Sequence, residues 1–276
     1  MTSVADIMRE HRDLLDKSPT SRLDTEVLLA HCLAVDRSVL FREPERQLTS
    51  EQLARVSELL NLRQAGRPVS QLTGHAEFYG VTLAVNEHVL IPRADTETLV
   101  EEALSRIGRR ALSVIDLGTG SGAIAIAIAK NCAACDVTAI DSSPAALAVA
   151  EANVNRHGLK NVRVLKGDWL DLFQGEAVDM ILSNPPYVAS NDPHFETGGI
   201  AFEPRLALDG GADGLDAYRK LIPQAHQHLR AGGELILEHG HDQAAAIGEL
   251  LQNHGFQCLG TRRDLAGHER ISFGQK

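Results

Sequence analysis

Asn184, Pro185, Pro186 and Tyr187 directly follow the apolar run Val178 to Leu182, and together they are suited to holding a flat NH2 group. An amide or ring-bound amine is a poor nucleophile because its lone pair is delocalised into the carbonyl or the ring. The side-chain oxygen of Asn184 and the backbone carbonyl of Pro185 can each accept one N–H, fixing the nitrogen and leaving its lone pair aimed at an electrophile. Pro185 and Pro186 lock φ and carry no N–H that could compete for those acceptors. Tyr187 supplies a planar face for stacking. The plain alternative is a proline-rich turn that closes a strand, and the residues upstream weigh against it.

Those residues read as a site for the electrophile. Leu112 to Asp116 has the pattern of a buried strand, and Gly118-Thr119-Gly120-Ser121-Gly122 turns into the apolar helix Ala123 to Lys130. Glycines at alternate positions admit close backbone approach, and Ser121 is placed to cap the helix. A second strand, Asp136 to Ile140, ends in Asp141, whose carboxylate could accept both hydroxyls of a ribose. The Gly-x-Gly-x-Gly spacing departs from a dinucleotide fingerprint, because Ala123 and Ile124 stand where the fingerprint would continue. A pyrophosphate needs an open helix N-terminus, whereas S-adenosylmethionine has no phosphate and needs only close backbone approach. A third strand, Val162 to Leu165, leads into Gly167-Asp168-Trp169, where Asp168 could accept an adenine amino group and Trp169 could lie beside the base. A lone tryptophan filling the core is the bland reading. Asn184, at the end of the fourth strand, borders both donor and acceptor. The expected chemistry is methyl transfer from S-adenosylmethionine to an NH2 group, leaving S-adenosylhomocysteine.

At this point the chain resembles the protein-(glutamine-N5) methyltransferases that modify peptide chain release factors, the HemK/PrmC family. The resemblance covers essentially the whole chain. It is carried by Glu77-Phe78-Tyr79-Gly80, Ile91-Pro92-Arg93-Ala94-Asp95-Thr96-Glu97, the glycine loop, Asn184 to Tyr187, Phe202-Glu203-Pro204 and Leu237-Glu238-His239-Gly240. It implies that the acceptor is the glutamine of the Gly-Gly-Gln loop of a release factor, which no feature of composition or spacing establishes. A nucleic-acid adenine-N6 methyltransferase stays open, since a flipped adenine offers the same flat NH2. A non-catalytic nucleotide-binding module is the other alternative, although a mere binder has no use for a group that orients an acceptor nitrogen.

The elements that must position these residues fall into three stretches. Residues 1–72 read as a small helical bundle that recognises substrate. One stripe is Val4, Ile7, Met8, His11, Leu14 and Leu15, a second begins with Leu23, Val27 and Leu28, and Thr49 with Gln52 forms a capping box ahead of Leu53, Val56, Leu59 and Leu60. Residues 73–92 read as a linking β-hairpin around Gly80. Residues 93–276 read as a Rossmann-like α/β methyltransferase domain, with Asp95 capping its first helix and strands alternating with helices to the C-terminus. Val188 to Asp216 is a long loop placed to border the acceptor pocket.

Composition narrows the class. The 276 residues are 43% hydrophobic and 23% charged, which excludes disorder, and no apolar run approaches a membrane span. The net charge is −10, divided as −1 over residues 1–72 and −9 over the remainder, so neither part is a platform for nucleic acid. Cys132 and Cys135 form a single Cys-x-x-Cys pair, short of the four ligands of a structural zinc, and His226, His228, His239 and His241 are expected at element ends rather than on a metal. The expectation is a cytoplasmic, metal-free monomer with a protein substrate.

Overall fold

The computed structural model describes residues 2–11, 20–171, 173–174 and 177–276. The chain divides into two compact units: Met1–His75 with Glu196–Phe202, and Ala76–Phe195 with Glu203–Lys276.

The first unit is helical: α1 (Val4–Glu10), α2 (Ser21–Leu33), α3 (Arg37–Arg42), α4 (Ser50–Gln64) and α5 (Val69–Thr73). Thr49 and Gln52 close the capping box that the spacing predicts at the start of α4, and Ser3 and Asp6 do the same for α1. Val4, Ile7, Leu28, Leu29, Val56, Leu59 and Leu60 form the core. The expected stripe on α2 is displaced, because Leu23 is 42% exposed while Leu28 and Leu29 are fully buried. Asp24 takes the inward place near Leu23 because the Arg63 guanidinium meets it at 2.8 Å. Leu14 and Leu15 lie outside the described residues. Glu196–Phe202 groups with these helices for a local reason: Gln71 Nε2 donates to Phe202 O at 2.9 Å. A side chain at Gly66 would come within 3.2 Å of the Phe202 ring.

The second unit opens on a hairpin, β1 (His75–Phe78) and β2 (Val81–Ala84). Its turn residues Tyr79 and Gly80 have φ of 48° and 70°, the left-handed pair that matches the twist of two antiparallel strands. The main sheet follows: α6 (Glu97–Ile107), β3 (Ser113–Leu117), α7 (Ala123–Asn131), β4 (Asp136–Asp141), α8 (Pro144–Arg156), β5 (Val162–Lys166), β6 (Val178–Ser183), α9 (Asp216–His228), β7 (Leu229–Glu238), α10 (Ala244–Asn253), β8 (Gln257–Arg263) and β9 (Glu269–Gln275). Seven strands run in the order β5-β4-β3-β6-β7-β9-β8. The first five in that order pair in parallel, and β9 runs antiparallel between β7 and β8. This is the Rossmann-like α/β sheet. The expected alternation of strand and helix stops short of the C-terminus, because β8 and β9 are joined by the tight turn around Gly267, in which Asp264 N–H donates to His268 O. A connection that short can join only antiparallel strands.

Every residue of α7 from Ala123 to Ala129 is buried, as expected of a helix apolar on all sides. Strand order reverses between β3 and β6, and ligands of open α/β sheets gather at the carboxyl ends of strands at such a reversal. The glycine loop after β3, Asp141 after β4, Asp168 after β5 and Asn184 after β6 all lie at those ends.

Candidate active site

A cleft of about 580 Å³ opens at this switch point. Gly118, Gly120, Asp141, Asp168, Trp169, Asn184 and Pro186 line it, so one cavity gathers residues from four strand ends. Thr119, Ser121, Gly122, Pro185 and Tyr187 are not on its wall.

The glycine loop owes its shape to two carboxylates. Asp141 Oδ2 accepts from Gly120 N–H at 2.9 Å and its Oδ1 from Ser143 N–H at 2.9 Å, which holds the carboxylate at the cleft edge. Asp116 lies beneath the loop, fully buried, with Oδ2 accepting from the Thr119 hydroxyl at 2.6 Å and from Ala125 N–H at 3.1 Å. Burial pushes the Asp116 carboxyl up to about 7, against the pull of those two donors. Gly118 and Gly120 have φ of 70° and 55°, and a Cβ on Gly120 would meet nothing within 4 Å. The loop therefore presents bare backbone to open space.

Two expectations about caps are corrected here. Ser121 does not cap α7: the N-cap is Gly122 at φ 84°, with no side-chain cap bond. The left-handed turn at Gly122 leaves the strand residue Asp116 to satisfy Ala125 N–H. Asp95 does not cap α6 either, since Thr96 occupies the N-cap of that helix and the Asp95 carboxylate pairs with Arg270 at 3.4 Å.

The donor set suits S-adenosylmethionine. It offers a carboxylate anchored at the cleft edge and a glycine backbone open to close approach. The first turn of α7 has already given an amide to a buried carboxylate, a poor arrangement for a pyrophosphate and a tolerable one for a sulfonium. Asp168 is exposed at the rim. Trp169 adopts φ 53°, rare for a bulky side chain. It lines the cleft and also packs against the core beneath α9.

On the acceptor side, Asn184 Nδ2 donates to the Thr96 hydroxyl at 3.0 Å, which leaves Oδ1 as the amide's uncommitted acceptor. Pro185 is buried and Tyr187 half-buried. Burial pushes the Tyr187 phenol up to about 12. The stretch after Tyr187 is tied down against it. Val188 N–H donates to Leu208 O and Gly210 N–H to Val188 O, while Arg205 Nε reaches Asp209 Oδ2 at 3.0 Å. Pro204, Leu206, Ala207, Asp209 and Gly211 thereby join the cleft wall. Leu206 is 68% exposed there.

Comparison with known proteins decides the family. The Methyltransferase small domain model matches residues 94–200, and the PrmC N-terminal domain model matches residues 6–74. The release factor glutamine methyltransferase of Pseudomonas aeruginosa is 44% identical over 275 residues, covering 100% of this chain and 99% of that protein. That of Xylella fastidiosa is 45% identical over 255 residues, covering 92% and 93%. The chain belongs to the release factor glutamine methyltransferase family. A solved methyltransferase from Pyrococcus furiosus shares the fold, with a TM-score of 0.55 at 19% identity, covering 83% of this chain and 99% of that one.

The segments that carried the resemblance to the release factor glutamine methyltransferases meet in space. Glu203, from Phe-Glu-Pro, accepts from Ile91 N–H at 3.0 Å and from the Arg93 guanidinium at 2.5 Å, both in the Ile-Pro-Arg segment. Glu97 accepts from Tyr79 N–H at 2.8 Å. Two residues hydrogen-bonded to those of the site, Thr96 to Asn184 and Asp116 to Thr119, went without a role in the sequence reading. The available signal for Asp116 was an acid within an apolar strand, just ahead of the glycine loop. His239 closes β7 in the interior with Nε2 at 2.9 Å from the Ser272 hydroxyl, and His226 and His228 sit in the last turn of α9. Among the described residues, no helix is long and apolar enough to cross a membrane.

Proposed function

We propose that the cleft binds S-adenosylmethionine against the glycine loop and Asp141, and binds the side-chain amide of a release-factor glutamine at Asn184. The reaction is N5-methylation of that glutamine, as in the family to which the chain belongs. One observation carries the assignment of the site: the glycine loop, Asp141 and Asn184 line a single cavity.

S-adenosylmethionine supplies a methyl group on a cationic sulfur. The residues of the chain do the rest by position. Gly118 and Gly120 admit the ligand to the backbone. Asp141 accepts from ribose hydroxyls, and Asp168 and Trp169 border the base. Asn184 Oδ1 and the Pro185 carbonyl accept the two N–H groups of the glutamine amide, which favours the reactive geometry of its nitrogen. Pro186 lines the wall behind it, and the half-buried Tyr187 backs the turn. No residue is assigned as a strong base, because the methylated amide loses its surplus proton readily. In this reading the transfer uses no metal and one copy of the chain. The helical unit, near neutral in charge, recognises the release factor, and the net −9 of the remainder supports a protein substrate over a nucleic acid.

The test is mass spectrometry of purified release factor after incubation with the protein and S-adenosylmethionine. A single added methyl that fragmentation places on the glutamine of Gly-Gly-Gln is the expected result. Methyl on another residue, or none on the factor but transfer to adenine in a nucleic acid, would overturn the reading.

A further inference from the structure

Glu238 ends β7 with its carboxyl in the interior. It is 0% exposed, and among the described residues neither oxygen has a hydrogen-bond partner. Its place is fixed by its backbone: the Glu238 carbonyl accepts from the Tyr218 hydroxyl at 2.7 Å, and the next residue, His239, donates its N–H to Arg270 O at 2.9 Å. A buried carboxyl without a partner is costly, so its retention calls for a role that offsets the cost.

The parallel register of β6 and β7 sets Ser183 beside Leu237, and Asn184 and Glu238 are the next residues along these two neighbouring chains. The Thr96 hydroxyl serves both neighbours. It accepts from Asn184 Nδ2 at 3.0 Å. It also faces the Glu238 carboxyl and offsets part of its burial, without closing a bond to either oxygen. A hydroxyl that accepts from an amide still has its own hydrogen to give, and the Glu238 carboxyl is an acceptor with nothing else to hold. The remaining charged and titratable groups around it are Arg270 on β9, Arg93 and Asp95 ahead of α6, and Tyr187 after β6.

The orientation of the Asn184 amide is the property at stake. With Oδ1 toward the cleft, it accepts from an acceptor NH2; flipped, it would oppose NH2 with NH2. We infer that Glu238 is a positioning residue of the methyl-acceptor site: its carboxyl draws the hydrogen of the Thr96 hydroxyl toward itself, which turns that oxygen's lone pair to the Asn184 amide and keeps Oδ1 facing the acceptor. The inference rests on the reading of Asn184 as the group that binds the glutamine amide.

The test uses the full chain with Thr96→Val, Thr96→Ser, Glu238→Leu, Glu238→Gln and Asn184→Ala. Thr96→Val and Glu238→Leu should lower kcat on intact release factor by about tenfold to a hundredfold, the usual effect of removing a partner that orients a functional group. The Kd for S-adenosylmethionine, by calorimetry, should stay within about twofold, because that ligand does not depend on the amide's orientation. The side-chain NH2 resonances of Asn184, identified by their loss in Asn184→Ala, should shift and exchange faster with solvent in Thr96→Val. Thr96→Ser and Glu238→Gln, which keep the hydrogen-bonding groups, should recover most of the lost rate. Wild-type kcat and unshifted resonances in Thr96→Val would overturn the inference, as would loss of donor binding in step with activity. Thr96→Val reports on Thr96 alone, so if Glu238→Leu does not fold, Glu238→Met, which keeps the length of the side chain and removes the acceptor, takes its place with the same expected and overturning results. An active Asn184→Ala would instead sink the underlying reading of the acceptor site, a separate outcome.

Discussion

Asn184 and Asp141 divide the labour of the cleft, and their substitutions should fail in different ways. Asn184→Ala removes an acceptor from the substrate amide and leaves the glycine loop untouched. Loss of one positioned hydrogen bond in a transition state costs about 3 to 4 kcal/mol, so kcat should fall by two to three orders of magnitude while donor affinity stays within a few-fold. Asp141→Ala does the reverse. It removes charge-assisted bonds to the ligand and the partner of Gly120 N–H, so the Kd for S-adenosylmethionine should rise by about tenfold to a hundredfold. Calorimetry beside single-turnover kinetics separates the two. An unchanged donor Kd in Asp141→Ala would remove that residue from the site, and undiminished turnover in Asn184→Ala would remove the other.

At the scale of elements, the segment from Val188 to Asp216 approaches the acceptor motif closely at Gly210. A Cβ on Gly210 would lie 2.7 Å from Pro186 O, 2.8 Å from Gly214 O and 2.9 Å from Tyr187 Cα, all backbone atoms that cannot swing aside. Gly210→Ala should therefore displace the turn at Pro186 and Tyr187, costing about 1 to 3 kcal/mol of stability and most of the activity. Gly248→Ala is the control: that residue lies inside α10 and its added Cβ meets nothing within 4 Å. There the change should raise stability by about 0.5 to 1 kcal/mol and leave kcat alone. Equal effects of the two in denaturation and turnover would mean that the close approach at Gly210 has no bearing on the motif. Such approaches mark the limit of what the sequence discloses. The strands from Ser113 to Ser183 and the box at Thr49 are legible because period and spacing are local properties, and the glycine loop and Asn184 are legible because their chemistry is local too. The roles of Gly210, Glu203 and Thr96 depend on partners that are distant in sequence, such as Ile91 for Glu203 and Asn184 for Thr96. The misread caps have the same origin, since Asp116 reaches Ala125 from the preceding strand and Asp95 is drawn to Arg270.

Across the whole molecule, two properties divide between the units and the buried charges. A chain shortened to begin near Ala76 should still bind S-adenosylmethionine, because every residue of the cleft wall lies in the second unit. It should methylate intact release factor poorly, having lost the remote surface that holds a large substrate. Full activity of the folded, donor-binding short chain would deny the helical unit a recognition role. The buried carboxyls set a second property, the dependence of stability on pH. Burial raises Glu238 from its ordinary 4.5 to about 7, and Asp116 from 3.8 to about 7. Between these values the folded chain keeps a proton that the unfolded chain has lost, so the contribution of each group to stability is complete below its unfolded value, declines as pH rises toward 7 and is level above it. Burial lowers His31, His226 and His239 from 6.5, and their contribution is lost instead on acidification. The wild-type curve mixes the two trends. Comparing wild type with Glu238→Gln, which cannot titrate, isolates one group. From about pH 5 to about pH 8 the variant should gain on the wild type by an amount on the order of 3 kcal/mol in urea denaturation, with the gain complete near neutrality. Parallel curves for the two proteins would show that Glu238 titrates alike in the folded and unfolded chains, and would contradict its burial as a neutral acid.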